Sequence, residues 1–183
     1  MNFAGKILIA MPQLEDPNFA GTVVYIINQD DKGVSGLVIN RPLDMPLNRI
    51  LEKFDYKPIF EDPPVYWGGP VQSEQGIVLH SSEQTWDITH TADRYVNYTL
   101  STDVLQAVSE GVGPRKYLAC VGYSGWDPGQ LEAEIANDAW LVGKSSYKLL
   151  FDTPADQKYD EALRSLGLEP LIFKSTGGNV GHA

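Results

Sequence analysis

Short runs rich in β-branched and aromatic residues recur along most of this chain, and turn residues separate them more often than long helices do. Ile7 to Ala10, Thr22 to Asn28 and Val34 to Asn40 read as strands, the last two joined by a hairpin loop at Gln29 to Gly33. Further strands are predicted at Pro64 to Trp67, Gly76 to His80, Arg94 to Leu100, Lys116 to Tyr123, Trp140 to Gly143 and Tyr147 to Phe151. So many strands with so few long crossovers predict an α+β fold and disfavour a doubly wound parallel sheet.

About four helices fit between the strands. Leu47, Ile50, Leu51 and Phe54 form one apolar stripe on a short helix opened by Pro46. Ser101 or Thr102 can cap a second helix that ends near Glu110, with Gly111 suited to the left-handed turn after it. Asp127-Pro128-Gly129-Gln130 predicts a third, with Asp127 as N-cap, Pro128 in the first turn and Gln130 closing a capping box. The fourth opens at Thr153-Pro154, carries Tyr159, Ala162, Leu163 and Leu166 at helical spacing, and stops at Gly167.

At 183 residues, with 43% apolar and 21% charged, the chain can bury one sizeable core. A single domain over residues 1–172 is predicted, followed by a flexible Gly-rich tail over 173–183. No run approaches a membrane span and Met1 to Met11 lacks signal-peptide character, so a cytoplasmic protein without a membrane partner is expected. Cys120 is the only cysteine, which excludes an internal disulfide. With 24 acidic residues against 14 basic ones the formal charge is -10, which opposes phosphate contacts, and direct nucleic-acid binding is not expected.

Reactive constellations are weak. Gly122-Tyr123-Ser124-Gly125 sits between a strand and a helix, yet Trp126 stands where a nucleophile elbow needs its second glycine, and no fixed base follows to activate Ser124. His80 and His90 lie near Asp87 and Asp93, but their spacing fits no zinc or iron pattern, so no metal is assigned. Cys120 lies in an apolar run where burial would blunt it. No glycine-rich phosphate loop is present, so no nucleotide cofactor is expected. Trp67-Gly68-Gly69-Pro70 is a turn beside aromatics, readable as structure or as a binding loop.

Four separated motifs occur together: Gly5-x-x-Leu8-Ile9-Ala10-x-Pro12 with Asp16-x-Asn18-Phe19; Gly33-x-x-Gly36-Leu37-Val38-Ile39-Asn40-Arg41-Pro42; Gly68-Gly69-Pro70-Val71 with Leu79-His80; and Gly122-x-x-x-Trp126-x-x-Gly129-Gln130-Leu131-Glu132-x-Glu134-Ile135-x-Asn137-x-x-Trp140. In these the chain resembles the AlgH-like (YqgE) family of bacterial proteins over residues 3–168. The resemblance implies a mixed, largely antiparallel sheet curled toward a partial barrel, and a family for which a transcriptional role has been inferred, with no catalytic residues to carry over. The expected function is a non-catalytic regulatory or binding module with a protein or small-molecule partner. Its contact surface is placed at Asn40, Arg41, Gly68, Gly69, Pro70, His80, Tyr123, Trp126, Gln130 and Glu134, with Trp126 either an anchor or a core plug. The alternative is a small-molecule enzyme whose pocket joins Asn40-Arg41, His80 and Gln130-Glu134.

Overall fold

A computed structural model describes residues 1–180, with side chains to 175. Its strands are β1 (Lys6–Ala10), β2 (Val23–Asp30), β3 (Gly33–Val38), β4 (Pro42–Pro46), β5 (Pro64–Trp67), β6 (Val71–Ser81), β7 (Thr89–Asp93), β8 (Val96–Thr99), β9 (Tyr117–Trp126) and β10 (Trp140–Lys144). They form one curled sheet in the order β10-β1-β2-β3-β9-β6-β8-β7, antiparallel along that path, with β4 and β5 appended and β5 parallel to β9. The curl brings β7 against β2, so the sheet is a half-barrel and the fold is α+β.

Both faces of the sheet are covered, which is why β1 and β2 read as unbroken apolar runs instead of alternating ones. Ile7, Ile9, Tyr25, Leu37 and Leu79 point into the half-barrel, where α4 (Ala155–Ser165) plugs it with Ala162 and Leu163. Leu8, Val24, Ile26 and Val38 point outward under α3 (Gln130–Ala136) and pack with Trp126, Leu131 and Trp140. Beyond β9, the same outer face carries Val78 and Ala119 under α1 (Leu47–Lys53) and α2 (Asp103–Ser109), through Leu47, Leu51, Val104 and Leu105. Asn48 ties α1 to the loop before β5, its amide bonding both backbone groups of Ile59 at 2.8 and 2.9 Å.

Two expectations are corrected. Tyr147 to Phe151 is not a strand: Lys148–Asp152 is a π-helical turn. Side chains take up its polar groups, with Ser146 Oγ accepting from Leu149 N–H and Thr153 Oγ1 donating to the Lys148 carbonyl. The third helix begins at Gln130, its N-cap is Gly129, and no side-chain cap bond from Asp127 forms. Only the reciprocal half of the capping box exists, the Gln130 Oε1 accepting the Asp127 N–H at 2.9 Å. Asp127→Ala is therefore expected to change stability by less than about 0.5 kcal/mol, and Gln130→Ala to lose about 1 kcal/mol. Urea midpoints in the opposite order would contradict this assignment. The chain after Leu168 forms α5 (Pro170–Val180); the end of the expected tail, residues 181–183, lies outside the described residues.

Candidate functional site

Most side chains singled out from the sequence hold the framework together. Asn40 Oδ1 accepts the Val23 N–H at 2.9 Å while its Nδ2 donates to the Gly21 carbonyl at 3.0 Å. Arg41 donates to the carbonyls of Asn18 and Ala20 and lies over the Trp67 ring, 5.4 Å from its centroid. The two neighbours thus clamp the loop before β2 onto the sheet. Ser124 is buried and donates to the Gly68 carbonyl at 3.0 Å, so its hydroxyl serves as a strut.

His80 is fully buried under the edge of Trp86, with ring centroids 5.1 Å apart. The Ser81 carbonyl, 2.8 Å from Nδ1, can only accept, so Nδ1 carries the proton and Nε2 of the neutral ring accepts from Thr99 Oγ1 at 2.7 Å. Thr89 completes the chain: it accepts the Trp86 N–H and donates to Thr99, both at 2.7 Å. Burial pushes the His80 pKa below its ordinary value, outweighing the Ser81 carbonyl and the Glu83 carboxylate. Because the folded-state pKa is depressed, this contribution to stability is complete above the unfolded value of about 6.5 and is lost as pH falls through the folded one. Wild type should lose stability as pH falls below about 6.5, and His80→Gln should flatten that slope. Parallel pH profiles of the two unfolding midpoints would contradict it.

Cys120 is buried, and desolvation holds its thiol at about 12 despite the nearby Lys158 cation. Lys158 is itself buried, and desolvation brings it down to about 8. Its ammonium donates to the carbonyls of Ile39 at 2.8 Å and Leu150 at 3.0 Å and lies over the Tyr66 ring. It joins the end of β3 to the π-helical turn through the middle of the half-barrel.

Trp126 is 5% exposed and occupies the core alternative, packed with Phe19 and Trp140. One carboxylate organises this corner. Glu134 Oε1 accepts both indole N–H groups, from Trp126 at 3.1 Å and Trp140 at 3.0 Å, while Oε2 accepts from Gln130 Nε2 at 2.8 Å. Gln130 and Glu134 therefore face the two tryptophans, and His80 lies in a separate part of the sheet beside β8. Asn40 borders a small cavity next to α4.

The glycine turns do something different: they let two chain segments cross in contact. Gly69 has φ +154, and a Cβ there would lie 2.2 Å from the Tyr123 backbone; a Cβ on Gly122, at φ +74, would lie 2.3 Å from the Gly69 carbonyl. Just after this crossing β6 leaves its register with β9. Val71 faces Tyr123 and Gly76 faces Val121, so Gln72 to Gln75 arch out opposite the single residue Gly122. Gln72 takes φ +44, a left-handed conformation that disfavours side chains, as expected where surroundings impose a shape. Pro70 delivers the chain from the crossing into β6.

Beside the arch lies a large cleft, about 760 Å³. Its floor is the outer sheet face at Val78, Ala119 and Val121; Ile50 and Phe54 of α1 form one wall, Ser73 to Gly76 of the arch another, and Thr99 to Thr102 with Leu105 close the end. Tyr123 borders a smaller cavity that shares Gln75, Ile77 and Leu100 with it. None of the predicted contact-surface residues lines the large cleft, whereas Cys120, set aside from the sequence as a blunted thiol, does. The stripe on α1 was the available signal for it, but which neighbours that stripe would leave uncovered depends on the arch. Among the described residues no three His, Cys, Asp or Glu side chains cluster, and no helix is long and apolar enough to cross a membrane.

Comparison with known proteins agrees with this architecture. The family model described as AlgH-like matches residues 7–171. A UPF0301 protein of Ralstonia nicotianae is 42% identical over 187 residues, covering 100% of this chain and 96% of that one, and a UPF0301 protein of Burkholderia cenocepacia is 42% identical over 189 residues with the same coverage. The solution structure of the AlgH protein from Pseudomonas aeruginosa superposes with TM-score 0.80 at 38% identity, over 94% of this chain and 93% of that one. The crystal structure of protein DIP2367 from Corynebacterium diphtheriae shares the fold, with TM-score 0.75 at 19% identity over 97% of this chain and 92% of that one. The chain belongs to the AlgH-like family.

Proposed function

We propose that this protein is a non-catalytic binding module that takes a small, largely apolar ligand in the cleft between α1, α2 and the β6 arch. The observation that carries this reading is the division of labour among its side chains. His80, Ser124, Glu134 and Arg41 are engaged in framework hydrogen bonds, whereas the cleft offers about 760 Å³ over a mainly aliphatic floor. That volume falls within the usual range for small-molecule sites. A regulatory role would then act through ligand-dependent contacts, because the -10 charge opposes direct binding to nucleic acid.

Nile red, a neutral dye that brightens in apolar surroundings, should bind the wild-type protein. Ile50→Trp, which fills the cleft from a half-buried position on α1, should reduce that binding about tenfold or more, equivalent to about 1.4 kcal/mol. Equal binding by the two proteins, with both folded by near-ultraviolet circular dichroism, would contradict the reading.

A further inference from the structure

The charges around the cleft narrow the ligand further, an inference that rests on the cleft being the binding site. Arg49 and Lys53 both line it and stand four residues apart on α1, a spacing at which like charges repel. The ion pairs formed among the described residues are Lys116 with Asp152, Arg164 with Glu161 and Lys174 with Asp160. Arg49 and Lys53 belong to none of them, in a chain where 24 carboxylates compete for 14 basic side chains.

Two carboxylates also border the cleft, Glu52 and Glu74. Glu52 stands three positions from Arg49, on that residue's side of α1, but forms no ion pair, while Lys53 and Phe54 share the Ile50 side at three and four positions. Glu74 stands on the arch, on the facing wall. The α1 wall therefore presents two cations and one carboxylate, none of them in an ion pair, above an aliphatic floor.

The floor and walls favour a flexible chain over a flat ring. Met45, Leu47, Ile77, Val78, Leu105 and Val121 are aliphatic or thioether, and Phe54 is the only aromatic ring in the lining. Two of the three hydroxyls at the closed end are already taken, Thr99 by His80 and Ser101 by Asp103. Only the exposed Thr102 hydroxyl remains at that end to solvate a second polar terminus.

We propose that the cleft binds a single-chain amphiphile with an anionic head, the hydrocarbon chain lying over Val78, Ala119 and Val121 and the head held by Arg49 and Lys53. The test is displacement of Nile red from the full-length protein by dodecanoate, dodecanol and dodecyltrimethylammonium, all below the concentrations at which they form micelles. Dodecanoate should bind about tenfold tighter than the other two. Replacing both cations, Arg49→Gln with Lys53→Gln, should remove that preference while leaving dodecanol unchanged, and Glu74→Gln should strengthen dodecanoate by lifting a repulsion. Because these are exposed side chains, the variants are expected to fold. A preference that survives in the double variant would overturn the proposal. So would displacement without regard to head charge, which would leave the cleft a site for apolar ligands. If Nile red binds the wild type and Ile50→Trp equally, the cleft itself is wrong and both readings fall.

Discussion

Gly122→Ala is expected to lower the unfolding free energy by about 3 kcal/mol or more. Two penalties combine at this position. The left-handed φ of +74 disfavours any side chain by roughly 1 kcal/mol, and the new Cβ would sit 2.3 Å from the Gly69 carbonyl, a backbone atom that cannot swing aside. Relief requires β6 and β9 to separate where they cross. That would undo the bond from Gly68 N–H to the Val121 carbonyl and the Ser124 strut on Gly68, at 2.9 and 3.0 Å. Gly129→Ala is the matched control: its φ is +81, but a Cβ there meets nothing within 4 Å, so only the conformational cost of about 1 kcal/mol applies. Urea unfolding of the two variants should separate them clearly, and equal midpoint shifts would remove the crossing from the account. Gly122→Ala should also weaken Nile red binding, since the arch begins at that crossing.

Glu134→Ala is expected to cost about 3 kcal/mol, because it strips the shared acceptor from two buried indole N–H groups at once. Trp126 and Trp140 are 5% and 2% exposed, so water cannot replace the carboxylate without opening the corner where Phe19 packs. Glu134→Gln keeps an acceptor oxygen for the indoles, but its amide NH2 then faces the Gln130 NH2, and a smaller loss of about 1 kcal/mol is expected. The ordering wild type, Gln, Ala in denaturant midpoint, with tryptophan fluorescence shifting to the red in the Ala variant before unfolding, checks the node. An Ala variant as stable as wild type would show that the indoles find other partners. The same geometry accounts for Trp126 as a core plug: it ends β9 opposite Val34 instead of standing free on a turn.

Where local signals were redundant the sequence could be read closely. Thr22 to Asn28, Pro64 to Trp67 and Trp140 to Gly143 appear as β2, β5 and β10, and the apolar stripes of α1 and α4 lie where their spacing put them. β7 escaped because Thr89-His90-Thr91-Ala92-Asp93 is mostly polar and pairs only with β8. β4 escaped because a proline stands at each end, as suits an appended edge strand. The π-helical turn depends on a lysine ammonium eight residues beyond the Leu150 carbonyl it satisfies, and no local pattern encodes that. As for the site, the sequence marked residues of unusual chemistry, and the fold uses these chiefly for clamps and crossings. Arg49, Lys53 and the arch carry ordinary surface residues, whose meaning comes from the register break between Val71 and Gly76.

The measurement that bears most directly on the binding-module reading is a heteronuclear NMR titration of the full-length protein with an apolar probe such as Nile red. Backbone shifts should concentrate at Ile50, Lys53, Gly76, Val78, Thr102, Leu105, Ala119 and Val121, which enclose the cleft, and leave Trp126, Gln130 and Glu134 unmoved. Shifts centred on that α3 corner, or an absence of shifts at the cleft at saturating probe, would contradict it.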